Sequence, residues 1–231
     1  MQSKLTHDSQ AGAAVYSPLV LKVYDWWVLG VSNQWAWRCP TRSVLLPFFQ
    51  QHLGVNHLDV GVGTGYYLAH SAFAPEQKIT LLDLNANSLA SACARIADVG
   101  PLLIQENILK PSGALGDLCF DSISLFYVLH CLPGRMEEKA AAVFDLLHRH
   151  LSADGTLYGA TILGGDQVAH NYFGRRLMKL YQRKGIFGNQ HDSLEDLESV
   201  LSRYFSMVSV RQYGRVALFS AKHPVQEGRM G

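Results

Sequence analysis

Between residues 57 and 68 the chain reads His57-Leu58-Asp59-Val60-Gly61-Val62-Gly63-Thr64-Gly65-Tyr66-Tyr67-Leu68. An apolar run (Val55, Leu58, Val60) gives way to glycines at alternate positions, then to a helix-compatible run from Tyr66 to Phe73. The pattern reads as strand, tight turn, helix. Gly61, Gly63 and Gly65 leave no Cβ where the backbone bends sharply or approaches a ligand, and a following helix points its first N–H groups at whatever lies over the turn. Asp59 sets a carboxylate just ahead of the turn. A second carboxylate, Asp83, closes the strand-like run Lys78-Ile79-Thr80-Leu81-Leu82, 18 residues beyond Gly65. That is near the spacing at which an acidic residue at the end of a second strand meets ribose hydroxyls, and one carboxylate can accept from two vicinal hydroxyls at once. The plainer roles for Asp83 are a helix cap or a surface charge.

Two further strand ends carry polar groups. Leu102-Leu103-Ile104-Gln105 leads into Glu106-Asn107-Ile108, and Phe120 to Pro133 holds an aspartate, a continuous apolar strand running to Tyr127, and a turn with Leu129-His130. Such a run suits a central parallel strand covered on both faces. A helix is expected from Met136 to His150. His130 has the type for a general base, since imidazole titrates near neutral pH; a structural histidine flanking the site is the other reading, and the favoured one.

A dinucleotide fingerprint would place its third glycine at position 66, where this chain has Tyr66. The pattern is instead Asp-x-Gly-x-Gly-x-Gly. In this motif and in the Phe120–Pro133 stretch at matching distance, the sequence resembles the class I S-adenosylmethionine-dependent methyltransferases, over residues 55 to about 222. The resemblance implies an α/β fold: a seven-stranded, mostly parallel sheet flanked by helices, with a C-terminal antiparallel hairpin. It implies S-adenosylmethionine as cofactor and S-adenosylhomocysteine as product, bound across the carboxyl ends of strands one to four. Asp59 would lie beneath the methionine end, Gly61, Gly63 and Gly65 would face the sugar and amino acid parts, and Asp83 the ribose. Leu84 would lie beside the adenosine, and Asn107 near the adenine amine with Ile108 beside the ring, although Glu106 is equally open for that place. Phe126 and Tyr127 would flank the methyl group. Asp154-Gly155 stands where the family has a glycine pair before strand five, a replacement that a turn tolerates. The implied reaction is SN2 transfer of a methyl group to an oxygen or nitrogen of a small, fairly apolar acceptor. The alternative is a related protein that binds the cofactor but catalyses a cyclisation or elimination, or serves as a binding module. Tyr66 and the Phe120–Pro133 stretch argue against a dehydrogenase.

The elements that must position these residues follow from composition. With 231 residues and 48% hydrophobic content, the chain suits one globular domain. A net charge of +1 without a basic run gives no footprint for nucleic acid. The start is polar with no signal-peptide pattern, and the apolar segment 18–31, broken by Lys22 and Asp25, is too short to span a bilayer. Cys39, Cys93, Cys119 and Cys131 show no paired spacing and read as reduced thiols, which points to a cytoplasmic protein, monomer or homodimer. No cluster suggests a metal: His148 and His150, two apart, do not face each other on a helix.

Residues 1–54 read as an arm followed by a helical lid, with helices over Leu19–Leu29 and Thr41–Leu53, the latter capped by Thr41. All four tryptophans of the chain fall here. Ordinary core aromatics and a lid shaping a pocket for a sulfonium are weighed about evenly. Tyr16 is a candidate catalytic contact and Tyr24 a candidate cofactor contact; Arg38 is a solvated cation or a carboxylate binder. Residues 55–223 form the cofactor domain, with a helix over Ser88–Val99 capped by Asn87. Segment 164–191 reads as a substrate-facing insertion, in which His170 is a candidate catalytic contact and Tyr172 a candidate substrate contact, with solvated helix-cap residues as the plainer reading of both, and the basic helix an exposed face. Asp192-x-x-Glu195 resembles a capping box for a helix to Tyr204. Two strands, 207–212 and 215–222, close the domain, and 224–231 is a tail.

Overall fold

The apolar runs that lead to Asp59, Asp83 and Tyr127 become neighbouring strands. In the computed structural model, which describes residues 25–164 and 171–225, strands β1 (Asn56–Val60), β2 (Lys78–Asp83), β3 (Leu102–Gln105), β4 (Phe120–Phe126) and β5 (Leu151–Ile162) run parallel. Strands β6 (Phe205–Tyr213) and β7 (Val216–Pro224) form an antiparallel hairpin that joins β5 through β7. The seven strands lie in the order β3-β2-β1-β4-β5-β7-β6, the mixed, mostly parallel sheet expected. The order reverses beside β1, so the carboxyl ends of β1 and β4 meet where α/β sheets of this kind bind ligands.

The helices are α1 (Asp25–Ala36), α2 (Leu46–His52), α3 (Tyr66–Ala69), α4 (Ala86–Arg95), α5 (Met136–Leu147), α6 (Tyr172–Arg183) and α7 (Leu194–Tyr204). α1 is wound in the wide π form, as is the turn 41–45 that leads into α2. Because successive side chains of a strand point to opposite faces, β1 serves two cores. Leu58 and Val60 join Ile123, Leu125, Phe144 and Phe219 on one face. On the other face Phe49, Leu81, Leu89, Phe126 and Tyr158 form a second cluster that includes Trp37, and β1 sends His57 and Asp59 to that side. Among the described residues no helix is long and apolar enough to cross a membrane, and the four cysteines are free.

Several local expectations shift. The helix after the glycine turn keeps only four residues. Asn85, not Asn87, caps α4, its side chain accepting the Asn87 N–H at 2.8 Å. Thr41 caps nothing: its hydroxyl donates to Leu29 O at 2.5 Å, and Pro40 precedes the turn. Ser193 caps α7 by accepting the Asp196 N–H at 3.0 Å, because Asp192 is drawn into a buried ion pair with Lys139 at 2.7 Å. Asp154-Gly155 lies within β5; pairing jumps from Phe120↔Leu151 to Ser122↔Thr156, so the intervening residues bulge out of the ladder. β4 stops at Phe126 since Tyr127 turns to φ 63°, and the α-helix from Met136 stops at Leu147 before a tight turn to His150.

Candidate active site

The glycine turn is held by backbone bonds: Gly61 N–H donates to Leu82 O and Gly65 N–H to Val62 O, each at 2.8 Å. All three glycines take positive φ, 72°, 54° and 73° along the chain, which side-chain-bearing residues adopt at a cost. Their surroundings differ. A Cβ on Gly61 would meet Val128 Cγ2 at 2.4 Å, and one on Gly65 the Ala92 Cα at 2.7 Å. Those two glycines let Val128, just beyond β4, and α4 pack against the turn. A Cβ on Gly63 would point into open space. That space is the cradle.

Two carboxyls border it. Asp83 Oδ1 accepts the Asn85 N–H at 2.8 Å, and Oδ2 receives the Gly63 N–H at 3.5 Å, so the end of β2 is tied to the turn. Burial raises the Asp83 pKa to about 6, against these backbone donors. Asp59 is almost enclosed, and its Oδ1 accepts the Ser124 hydroxyl at 2.5 Å. Burial raises its pKa to about 7; the Ser124 donor opposes the rise and the Asp83 charge adds to it. Two acids that repel each other beside an open cradle favour a ligand that brings positive charge and hydroxyl donors. A sulfonium-bearing nucleoside with an ammonium group and a ribose meets that requirement.

The other expected residues are distributed as follows. Glu106 N–H donates to Asp83 O at 3.1 Å, which brings the end of β3 alongside. Glu106 Oε1 accepts from the backbone N–H and the hydroxyl of Ser112, whereas its buried Oε2 has no partner among the described residues. Asn107 Oδ1 accepts the Leu109 N–H at 3.0 Å, and Ile108 is buried in the core. Tyr127, Asp83 and the turn thus share one edge, with Leu84 next to Asp83 and Phe126 packed 4.7 Å from the Tyr67 ring. Tyr127 is held in the left-handed region by its N–H donating to Ala160 O at 2.8 Å and its hydroxyl donating to Asn33 Oδ1 at 2.9 Å.

His130 is 2% exposed, and its Nδ1 accepts the Ile162 N–H at 3.3 Å with Thr161 Oγ1 at 3.4 Å. Burial, with Lys139 adding to it, lowers its pKa to about 3. An imidazole whose acceptor nitrogen is committed to the backbone joins the turn after β4 to the end of β5, and this geometry favours anchoring over proton transfer. Tyr16, Tyr24 and His170 lie outside the described residues. Tyr172, at the start of α6, is exposed, and Arg38 lies in the left-handed region at φ 53°. No group of three or more His, Cys, Asp or Glu side chains that could hold a metal occurs among the described residues.

Sequence reasoning missed three connections. Asp25 of α1 accepts the Thr64 hydroxyl at 2.5 Å and pairs with Arg95 of α4 at 2.6 Å, pinning α1 to the glycine turn. Asn33 links α1 to Tyr127 and donates to Thr41 Oγ1 at 2.8 Å. Beneath Asp59, His57 Nδ1 lies 2.7 Å from Ser122 Oγ and its Nε2 3.2 Å from Ser124 Oγ. The alternation His57/Asp59 and Ser122/Ser124 on two otherwise apolar strands was the one visible signal for the last of these. A cleft of about 460 Å³ is lined by Asp25, Trp26, Leu29, Thr41, Arg42 and Tyr66.

A mostly parallel sheet with a glycine turn at its switch point and acids at two adjoining strand ends places the chain in the class of nucleoside-binding α/β proteins. The comparisons with known proteins narrow this. The family model described as a methyltransferase domain matches residues 58–157. A physcion biosynthesis cluster O-methyltransferase of Aspergillus chevalieri is 41% identical over 96% of this chain and 98% of its own. Methyltransferase verB of Penicillium polonicum is 42% identical over 92% of this chain and 98% of its own. Among solved structures, an O-methyltransferase family protein from Burkholderia thailandensis shares the fold at a TM-score of 0.65 and 18% identity, over 98% of this chain and 63% of that one. The chain belongs to the class I S-adenosylmethionine-dependent methyltransferases.

Proposed function

We propose that the protein transfers a methyl group from S-adenosylmethionine to an oxygen of a small, fairly apolar hydroxylated metabolite, in the cytoplasm. The observation that carries this reading is the open cradle over Gly63 bordered by Asp59 and Asp83, two carboxyls raised in pKa by burial. The names of the relatives support oxygen as the acceptor atom, and the near-neutral charge supports a small acceptor over nucleic acid.

When bound, S-adenosylmethionine supplies the methyl group already activated by its sulfonium. What falls to the protein is alignment and the exclusion of water. In this reading Asp83 accepts from the ribose hydroxyls, Asp59 answers the positive charge, and Asn107 and Glu106 Oε2 offer acceptors at the end of β3. Gly61 and Gly65 bring Val128 and α4 close enough to wall the cradle. Residues 1–54 serve as the lid, with 164–191 closing the acceptor side. Trp27 Nε1 donates to Tyr181 OH at 3.1 Å, and Asn171 Nδ2 donates to Trp35 O at 2.7 Å; these bonds support the two segments acting as one cap.

Calorimetric titration with S-adenosylmethionine and S-adenosylhomocysteine tests the reading. Both ligands should bind the wild type, and Asp83→Ala should weaken both at least about tenfold, about 1.4 kcal/mol, while melting cooperatively. Failure of the well-folded wild type to bind either ligand would refute the cofactor site. A methylation screen that succeeded only on RNA or protein would overturn the small acceptor.

A further inference from the structure

We propose that His57 is a positioning residue for Asp59: acting through Ser124, it directs a hydrogen bond into the Asp59 carboxyl that favours its charged form and fixes its orientation for a cation arriving at the carboxyl end of β1. The inference starts from register. His57 pairs with Ser122 and Asp59 with Ser124 across parallel strands, so all four side chains share one face. Their contacts run in an unbroken line. Gly54 N–H donates to Ser122 Oγ at 2.8 Å, Ser122 Oγ and His57 Nδ1 are 2.7 Å apart, His57 Nε2 and Ser124 Oγ are 3.2 Å apart, and Ser124 Oγ donates to Asp59 Oδ1 at 2.5 Å. His57 and Ser124 are fully enclosed and Ser122 nearly so, with Phe49 edge-on to the imidazole at 5.7 Å and the Tyr158 ring at 6.2 Å.

Proton inventory makes this line directional. Burial keeps the imidazole neutral, its pKa lowered to about 3 against an opposing hydrogen bond with the Ser122 backbone, so it carries a single N–H. With Asp59 ionised, Ser124 must give its hydroxyl proton to the carboxylate, so it accepts from His57 Nε2–H. Nδ1 then accepts from Ser122, whose oxygen receives the Gly54 N–H. Every donor points toward Asp59. With Asp59 protonated on Oδ1, the oxygen that faces Ser124, the carboxyl donates to Ser124, Ser124 donates to Nε2, and the imidazole carries its proton on Nδ1, facing Ser122 Oγ. The tautomer of His57 is therefore coupled to the charge of Asp59, and no proton enters or leaves the imidazole as a whole.

The titratable groups facing this line from the packed elements are Asp83 on β2, Tyr158 on β5 and, stacked on Tyr158 at 5.1 Å, His52 on α2. Asp83 titrates nearest in pH, so Asp83→Asn serves as a control that removes its charge.

The test has two arms. In the free protein, ¹⁵N shifts of the labelled histidines are followed from about pH 5 to 9. His57 should stay neutral and pass from the Nδ1–H to the Nε2–H form as Asp59 ionises, and should still do so in Asp83→Asn. A tautomer that never changes, or an imidazolium, would overturn the proposal. In the second arm, which rests on the cofactor reading above, S-adenosylmethionine affinity is measured against pH. Ser124→Ala should move the midpoint upward by about one pH unit, since a hydrogen bond to a charged group is lost, and Ser124→Thr should restore it. His57→Leu should move it the same way by less. A Ser124→Ala protein that melts normally and keeps the wild-type midpoint would also overturn it. Absence of cofactor binding in the wild type would count against the function, and the tautomer arm would still decide the role of His57.

Discussion

Gly61 and Gly63 share a sign of φ but not a neighbourhood, and alanine at each separates folding from binding. At Gly61 the new methyl meets a stiff valine at 2.4 Å. Gly61→Ala should lower stability by about 2–4 kcal/mol through strain and overpacking, read as a large drop in Tm. At Gly63 only the backbone penalty of about 1–2 kcal/mol applies, yet the methyl enters the cradle, so cofactor affinity should fall at least about tenfold. Asp59 offers a third prediction. Its folded pKa of about 7 stands above the ordinary value of 3.8, so the folded state binds the extra proton between those values. Its contribution to stability is present below the lower value and lost as pH rises through the higher one. Asp59→Asn removes that loss and still accepts from Ser124. The free variant should therefore be more stable than the wild type, by a margin that grows from about pH 4 to 7 and reaches about 2–4 kcal/mol, while cofactor affinity collapses. Melting curves across pH check this. The acids and glycines were legible because their spacing is local. His130 was half legible, since a histidine after a strand reads the same whether its nitrogen meets a substrate or, as at Ile162 N–H, the next strand.

At the scale of elements, strands were read within a few residues and helix ends were not. A strand advertises itself by a continuous apolar run, whereas a cap depends on one side chain that tertiary contacts can claim. Asp192 illustrates this: Lys139 takes its carboxylate, and Ser193 caps α7 instead. That ion pair ties the loop before α7 to α5, with Lys139 Nζ also donating to Gly188 O at 2.9 Å. Lys139→Met leaves a buried carboxylate unpaired and should cost about 3–5 kcal/mol, and adding Asp192→Leu should recover much of it, measured by denaturant unfolding. α1 meets the expected helix 19–29 only over Asp25–Leu29 and runs on to Ala36, and its role as a latch was not legible, because the bond from Thr64 to Asp25 spans 39 positions and that from Tyr127 to Asn33 spans 94. Asp25→Asn should preserve the sheet and speed limited proteolysis before residue 37 severalfold, with protection regained on adding cofactor.

For the molecule as a whole, the strand order brings the ends of β3, β2, β1 and β4 to one edge, and it is the order that sets acids far apart in the chain beside one another. The sequence pattern did not reveal that order; the resemblance implied only a seven-stranded, mostly parallel sheet with the cofactor across the carboxyl ends of strands one to four. Placed over this edge, the stretch 26–37 holds every tryptophan of the chain. Trp26 and Trp35 are 69% and 65% exposed and Trp37 is 1% exposed, while Trp27 is tethered to Tyr181. Indole emission from this protein therefore arises from residues 26–37 alone. The enzyme carries its own optical reporter, sensitive to how α1 and the residues after it pack on the sheet, since Trp37 lies in the core cluster that covers one sheet face.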